Sequence, residues 1–374
     1  MKTLGIAGGG QLGRMLTDAA HALGFSVIVL DPTPDSPAGQ VADRQILGAF
    51  TDAEKVKELG ALSDYVTFEI ESADDAALRA LVALGKPVNP SPDTLAVIKD
   101  KYAQKAFLRE HGIATADFKE VKNATDARAA GAEFGYPYVL KAKRGSYDGR
   151  GNATISTEGD IAAALERFSG KELYAEKWVP FTKELAVMAA RGLSGEIALF
   201  PVVETRHKDH ILDVTLAPAP VPDEARSNAE ACARSAMEHL DGAGVFGIEM
   251  FLTEDGSVLV NEIAPRVHNS GHYTIEACET SQFEEHVRAV SGMNLGPTDL
   301  KVPTAVMKNI LGDRSGTADP KGVAEAEAIP GVKVHFYGKK EVRPARKMGH
   351  ITVVADTLEI ALENAEKARR CVTI

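Results

Sequence analysis

Two acidic residues and the turn between them carry the most specific chemistry in this sequence. The stretch IEMFLTEDGSVLVNEIAPR, residues 248 to 266, contains Asp255-Gly256, a dipeptide that favours a two-residue hairpin turn. Centring a hairpin there pairs positions whose numbers sum to 511, and Glu249 then faces Glu262. Residues directly opposite on antiparallel strands have Cβ atoms about 4.5 to 5.5 Å apart, so these carboxylates repel unless a cation neutralises them. Ile248, Met250, Leu259 and Ile263 predict that the other face of the hairpin is buried. Mg²⁺ suits such a pair, because it accepts one or two carboxylates and takes its remaining ligands from water and phosphate; Mn²⁺ is an alternative. Asn261 adds an oxygen ligand if the strand ends or twists there. The competing reading is a solvated hairpin carrying two tolerated acids.

Three further groups of residues suit an anionic substrate. Lys141 closes an apolar strand just before RGSYDGRGN, with Lys143 on the same face, which places an ammonium where a glycine-rich loop covers a phosphate. The segment YGKKEVRPARKMGH, residues 337 to 350, sets Lys339, Lys340, Arg343, Arg346 and Lys347 against the single acid Glu341. Pro344 and Gly349 predict a bend that aims several cations at one anion, such as a sugar phosphate. PRVHNSGHY, residues 265 to 273, crowds Arg266, His268, Asn269, Ser270 and His272 just past a strand end, a usual place for substrate contacts.

Gly8, Gly10 and Gly13 form G-x-G-x-x-G after a strand and before a helix, where backbone N–H groups receive phosphate. Asp31 stands where a dinucleotide site keeps its ribose-binding acid, but Pro32 and Pro34 stiffen that approach. The loop therefore reads as a phosphate or substrate contact, with NAD binding and a plain tight turn as the alternatives.

The elements that position these groups follow from hydrophobic period. Leu4 to Ala7, an amphipathic helix from Leu12 to Leu23, and FSVIVLD ending at Asp31 make a βαβ unit, the opening of a doubly wound parallel sheet. Apolar segments at Tyr65 to Ile70 and around Val88 continue an α/β domain that ends near Asp93. A charged helix is predicted from Leu95 to His111, then a strand from Tyr136 to Lys143. Residues 173 to 216 alternate as antiparallel strands. Pro218, Pro220 and Pro222 precede a helix from Ala225 to Leu240, and a last helix lies near Leu358 to Arg369. The division expected is 1–93, 94–180 with the glycine-rich loop, and 181–374.

The chain has 374 residues, 44% hydrophobic, with 42 Lys plus Arg against 53 Asp plus Glu and a net charge of −11. That balance argues against general binding to nucleic acid or anionic membrane, so anion binding has to be local. Three scattered cysteines, Cys232, Cys278 and Cys371, fit a reduced cytosol. Neither a signal peptide nor an apolar run of membrane-spanning length is expected.

GGGQLGRM at 8–15, YDGRGN at 147–152, EKWVPF at 176–181, NEIAPRVHNSGH at 261–272 and RKMGH at 346–350 together resemble N5-carboxyaminoimidazole ribonucleotide synthetases, ATP-grasp enzymes of purine biosynthesis. The resemblance runs from the first strand to about Ile351. It implies an α/β and α+β architecture: an ATP-grasp fold behind an N-terminal, Rossmann-like parallel-sheet domain. ATP would be held by Lys101, Lys141, Ser146, Tyr147, Asp148, Gly149, Arg150, Gly151, Asn152, Glu176, Lys177, Trp178, Val179, Glu184, His207, Asn261 and Glu262. Glu249 and Glu262 match the magnesium ligands, and Arg266, Lys141 and Tyr147 the catalytic positions. The ribonucleotide would meet Gln11, Leu12, Glu71, His268, Asn269, Lys339, Arg346 and Lys347, with Glu69 a rival to Glu71 because it lies on the same strand face.

The family reaction uses ATP to activate bicarbonate as carboxyphosphate and then carboxylates the exocyclic amine of aminoimidazole ribonucleotide, releasing ADP and phosphate. A cytoplasmic homodimer is implied. Many members have glycine at the position of Ser146 and arginine at that of Lys101. Fungal relatives continue into a mutase domain, so with the chain ending at Ile374 that step is expected from a separate protein. The alternatives are a formate-dependent glycinamide ribonucleotide formyltransferase, whose first loop usually has an acid where Gln11 stands, and an ATP-binding protein without turnover.

Overall fold

The computed structural model describes residues 1–145 and 151–374. Strands Thr3–Ala7, Ser26–Asp31, Arg44–Leu47 and Tyr65–Phe68 form a parallel sheet in the spatial order 44–47, 26–31, 3–7, 65–68. Leu4, Ile6, Val27, Val29 and Val66 are fully buried, as expected of parallel strands covered on both faces. Val88 adds a single parallel bridge to Val66. Helix Gln11–Ala22 starts at Gly10 and buries Leu12, Met15, Leu16 and Ala20, the spacing of one helical face.

The single helix expected from Leu95 to His111 is two helices, Pro92–Ile98 and Lys101–Glu110. Asp100 separates them because its carboxylate accepts from the N–H groups of Tyr102 and Ala103, the preferred action of an aspartate N-cap. Four antiparallel strands follow, in the order Phe118–Val121, Leu173–Lys177, Tyr138–Ala142, Asn152–Ile155. Leu140, Ala175 and Ile155 on one face pack with Ala127, Ala130 and Ile161 of helices Ala124–Phe134 and Asp160–Arg167. The opposite face presents Lys141 and Glu176, which alternate away from that core.

Among the described residues, a nine-stranded antiparallel sheet runs Val258–Ala264, Gly244–Thr253, Phe181–Arg191, Val203–Lys208, Ile211–Ala217, Thr304–Leu311, Lys347–Ala355, Val332–Phe336, with Ile197–Leu199 pairing to Phe181–Arg191. Helix Asp223–His239 lays Ala225, Ala229, Ala233 and Ala236 on it, small residues three or four apart on one face that permit close approach. Helix Gln282–Ser291 joins this sheet to the parallel one: His286 Nε2 meets Thr67 Oγ1 at 2.7 Å and its Nδ1 accepts from the Val245 N–H at 3.1 Å. No described helix is long and apolar enough to cross a membrane.

Candidate active site

Glu249 stands opposite Glu262 as expected, but by a different route. The turn is not the two-residue one: the Thr253 N–H donates to Ser257 O at 3.0 Å, leaving three residues at the tip, with Gly256 at φ +83°. That shifts the pairs nearest the turn by one, to Leu252–Val258 and Met250–Val260. An extra residue, Asn261, then restores the original register, so Asn261 and Glu262 together oppose Glu249. This is a β-bulge, which re-aims side chains at the cost of one ladder pair. Asn261 and Glu262 are both half-buried while Val260 and Ile263 are buried. Leu259, assigned above to the buried face, is instead half-buried beside the glutamates, because it precedes the bulge and pairs with Phe251.

The two carboxylates are electrostatically unlike. Burial and then Glu262 push the Glu249 carboxyl above its usual range. Burial opposes ionisation of Glu262 too, but Lys101, at 2.6 Å, holds it below. Glu249 has His268 Nε2 at 3.6 Å, yet burial and the nearby Arg266 and Lys347 charges keep that imidazole well below the usual histidine range, so it supplies no counter-charge. A hard cation fits this donor set of two carboxylates and an amide oxygen. Among the described residues no group of three or more His, Cys, Asp or Glu is placed to hold a metal ion.

Across from the hairpin, Glu176 is buried between Lys141, 2.6 Å from Oε1, and Lys105, 3.0 Å from Oε2. Burial works against its charge, but the two ammonium groups bring the carboxyl down to about 2. Lys143, expected to act with Lys141, instead meets Glu120 at 2.6 Å and lies over the Tyr102 ring. Gly151 O accepts from the Ala142 N–H at 2.9 Å and Asn152 pairs with Lys141. Past Glu176, Lys177 and Trp178 are exposed and Val179 half-buried. Glu184 accepts from His207 Nδ1 at 2.7 Å. A bulge between Arg206 and His207 turns that ring, and although burial lowers it, Glu184 holds its pKa above the usual value. Ser146, Tyr147, Asp148, Gly149 and Arg150 lie outside the described residues.

On the substrate side, Arg266 reaches Glu71 at 2.6 Å and donates to Val267 O at 3.0 Å, while among the described residues its buried Nε has no hydrogen-bond partner, leaving donors for an anion. Glu69 faces elsewhere: buried, it accepts from the Gly10 and Gly13 N–H groups. Asp31 likewise accepts from Gly9, at 2.8 Å, and Thr33, at 2.7 Å. The glycine loop expected to bind phosphate therefore already caps two internal carboxylates, and Asp31 is occupied by the turn rather than presented to a ribose. Gln11 begins the helix half-buried, but Leu12 packs in the core; any substrate contact there is through its N–H, which like that of Gln11 has no intrahelical partner.

Asn269, expected at the substrate, is 7% exposed and exchanges amide hydrogen bonds with Asn309 at 3.1 and 2.8 Å. His268 Nδ1 meets Ser270 Oγ at 2.8 Å. The basic segment folds against the N-terminal unit: Lys340 pairs with Asp35 at 2.7 Å and Gln40 Nε2 donates to Gly338 O at 2.8 Å. Lys339 donates to Lys347 O at 2.6 Å, and Arg346 to Glu341 O at 2.7 Å.

Sequence reasoning overlooked the residues that hold these loops. Gln282 clamps His268, accepting from its N–H at 2.9 Å and donating to its carbonyl at 2.7 Å. Gln104 does the same for Ile263, at 2.9 and 3.0 Å. With Lys101 and Lys105 it occupies positions i, i+3 and i+4 of one helix, a polar face that periodicity displays once the helix start is placed at Asp100.

Comparison with known proteins defines the class. The family model for the ATP-grasp domain matches residues 106–283, preceded by the ribonucleotide synthetase preATP-grasp domain at 1–99 and followed by the phosphoribosylaminoimidazole carboxylase C-terminal domain at 305–364. The N5-carboxyaminoimidazole ribonucleotide synthetase of Thermotoga maritima is 49% identical, with a TM-score of 0.91 over 100% of this chain and 99% of that one. The enzyme of Aspergillus clavatus in complex with ADP and 5-aminoimidazole ribonucleotide is 39% identical, TM-score 0.91, over 99% and 98%. N5-carboxyaminoimidazole ribonucleotide synthase of Bacillus subtilis is 40% identical over 93% of this chain and 90% of its own. This chain belongs to the N5-carboxyaminoimidazole ribonucleotide synthetase family. It spans 67% and 65% of the longer phosphoribosylaminoimidazole carboxylases of Ogataea methanolica and Candida albicans, to which it is also similar.

Proposed function

We propose that this chain carboxylates the exocyclic amine of 5-aminoimidazole ribonucleotide with bicarbonate and ATP, through carboxyphosphate, releasing ADP and phosphate in purine biosynthesis. The observation that carries this reading is the bulged hairpin, which sets Glu249, Asn261 and Glu262 on one side within range of the Lys101 and Lys141 charges. Glu249 and Glu262 would hold Mg²⁺, which supplies neutralisation of the charge on a transferring phosphoryl group; Mn²⁺ is an alternative. Lys141 and residues 146–152 bind the ATP phosphates, Glu176 to Val179 the adenine, Glu184 and His207 the ribose side. Arg266, oriented by Glu71, stabilises the carboxyphosphate anion with its remaining donors, and Tyr147, which lies outside the described residues, is the third catalytic position that the family resemblance gives.

The ribonucleotide lies against Gln11, the Leu12 N–H, Glu71 and His268, with its phosphate toward Lys339, Arg346 and Lys347. The attacking amine needs no covalent enzyme nucleophile, and excluding water protects the mixed anhydride. Three units with junctions near residues 93 and 180, a homodimer and a cytoplasmic setting complete the proposal. The test is phosphate release from ATP and Mg²⁺, with the ribonucleotide and bicarbonate each supplied or omitted. Release that requires the ribonucleotide, with matching loss of its free amine, is expected; release with glycinamide ribonucleotide and formate instead, or none with either pair, overturns it.

A further inference from the structure

Lys105 has no part in the reaction as described, yet its ammonium is placed with care: the side chain is 2% exposed and its Nζ donates to Thr115 Oγ1 at 2.8 Å and Val260 O at 3.3 Å. The third neighbour is Glu176 Oε2 at 3.0 Å, an oxygen that is buried and has no aligned hydrogen bond among the described residues, so their contact is chiefly one of charge. Glu176 Oε1 meets Lys141 at 2.6 Å. One carboxylate is thus shared between the buried Lys105 and the half-buried Lys141; burial lowers the Lys105 pKa and the Glu176 charge opposes that, so with both ammonium groups charged the cluster carries an excess of one positive unit.

Without Lys105, Glu176 and Lys141 would cancel as a closed pair in a medium that strengthens their attraction. A phosphate approaching Lys141 would then compete with a neighbour already in place. Val260, whose carbonyl Lys105 also holds, directly precedes the bulged Asn261, so the same ammonium links this charge cluster to the carboxylate hairpin.

Resting on the nucleotide site proposed above, we infer that Lys105 is a positioning residue for nucleotide phosphate binding. It engages one oxygen of Glu176 so that the charge of Lys141 remains available to the phosphate. Lys105 itself touches no substrate.

The experiment measures the affinity of the full chain for ADP and for adenosine by calorimetry, without divalent cation. Lys105→Met is expected to weaken ADP about tenfold to a hundredfold, the worth of a charged hydrogen bond, while adenosine binding is unchanged. Adding Glu176→Gln removes the carboxylate as well and restores the ratio of ADP to adenosine affinity, whereas independent structural damage would add. Lys105→Gln, which keeps polar contacts to Thr115 and Val260, is expected to lose the same ratio and serves if the methionine variant does not fold. An unchanged ratio in the single variants, equal losses for both ligands, or no recovery in the double variant overturns the inference. Wild-type protein that binds neither ligand removes the nucleotide-site reading, and the inference with it.

Discussion

At the scale of single residues, the site separates groups that neutralise charge from groups that aim it. Glu262 is engaged by Lys101, whereas among the described residues Glu249 has no cationic side chain within ion-pair distance other than an imidazole held neutral. Glu262→Gln is therefore expected to lower Mg²⁺-dependent turnover by about a hundredfold to a thousandfold, the effect of removing one preorganised charge partner, while the circular dichroism spectrum stays that of the wild type. Retained activity in that variant would sink the two-carboxylate metal site. Arg346 makes its described hydrogen bond to a backbone carbonyl in its own turn, so its guanidinium keeps donors for a ligand. Arg346→Ala should raise KM for the ribonucleotide about tenfold and leave KM for ATP alone; a change confined to ATP would move the substrate phosphate elsewhere.

At the scale of elements, one bulge and one helix do most of the positioning. Asn261 is the extra residue of its strand, so deleting it leaves Met250–Val260 and Glu249–Glu262 as adjacent pairs. The fold is expected to persist, and the Mg²⁺ concentration for half-maximal rate to rise about tenfold or more as one oxygen and the bulge geometry are lost. Collapse of the hairpin in that variant would show that the bulge is needed for folding instead. Helix Lys101–Glu110 addresses the same strand three times, through Lys101 to Glu262, Gln104 to Ile263 and Lys105 to Val260. That strand is the edge of the large sheet, where unpaired backbone groups need partners, so a helix face takes over the work of a neighbouring strand.

At the scale of the whole molecule, three buried histidines and the half-buried His268 respond to pH together. Burial lowers His286 to about 3 and holds His268, His272 and His350 well below the ordinary value. Below pH 6.5 the unfolded chain binds protons that the folded one refuses, so stability is full above that pH and is lost as pH falls. Each histidine should remove about 1 kcal/mol between pH 6.5 and 5.5. Glu285, raised by burial to about 7, works in the other direction between pH 7 and 4.5 and offsets part of this. Urea denaturation at these two pH values checks the sign: greater stability at pH 5.5 would mean that these rings titrate in the folded protein. Replacing His286 also tests the join between the sheets, since its ring bridges Thr67 and Val245.

Local chemistry made much of this protein legible in its sequence. The βαβ start, the carboxylate pairing, the lysine before the glycine-rich loop and the basic segment follow from period, turn type and charge, which act over a few residues. Even so, Glu249 faces Glu262 only because a three-residue tip and a bulge at Asn261 offset each other, and neither has a mark in hydrophobic pattern. Tertiary structure alone decided which of two nearby acids turns inward: Glu69 caps the glycine loop because buried N–H groups require an acceptor, leaving Glu71 for Arg266. It also decided that Lys105, Gln104 and Gln282 hold the site, since their partners lie 155, 159 and 14 residues away and only packing brings such groups within hydrogen-bond reach.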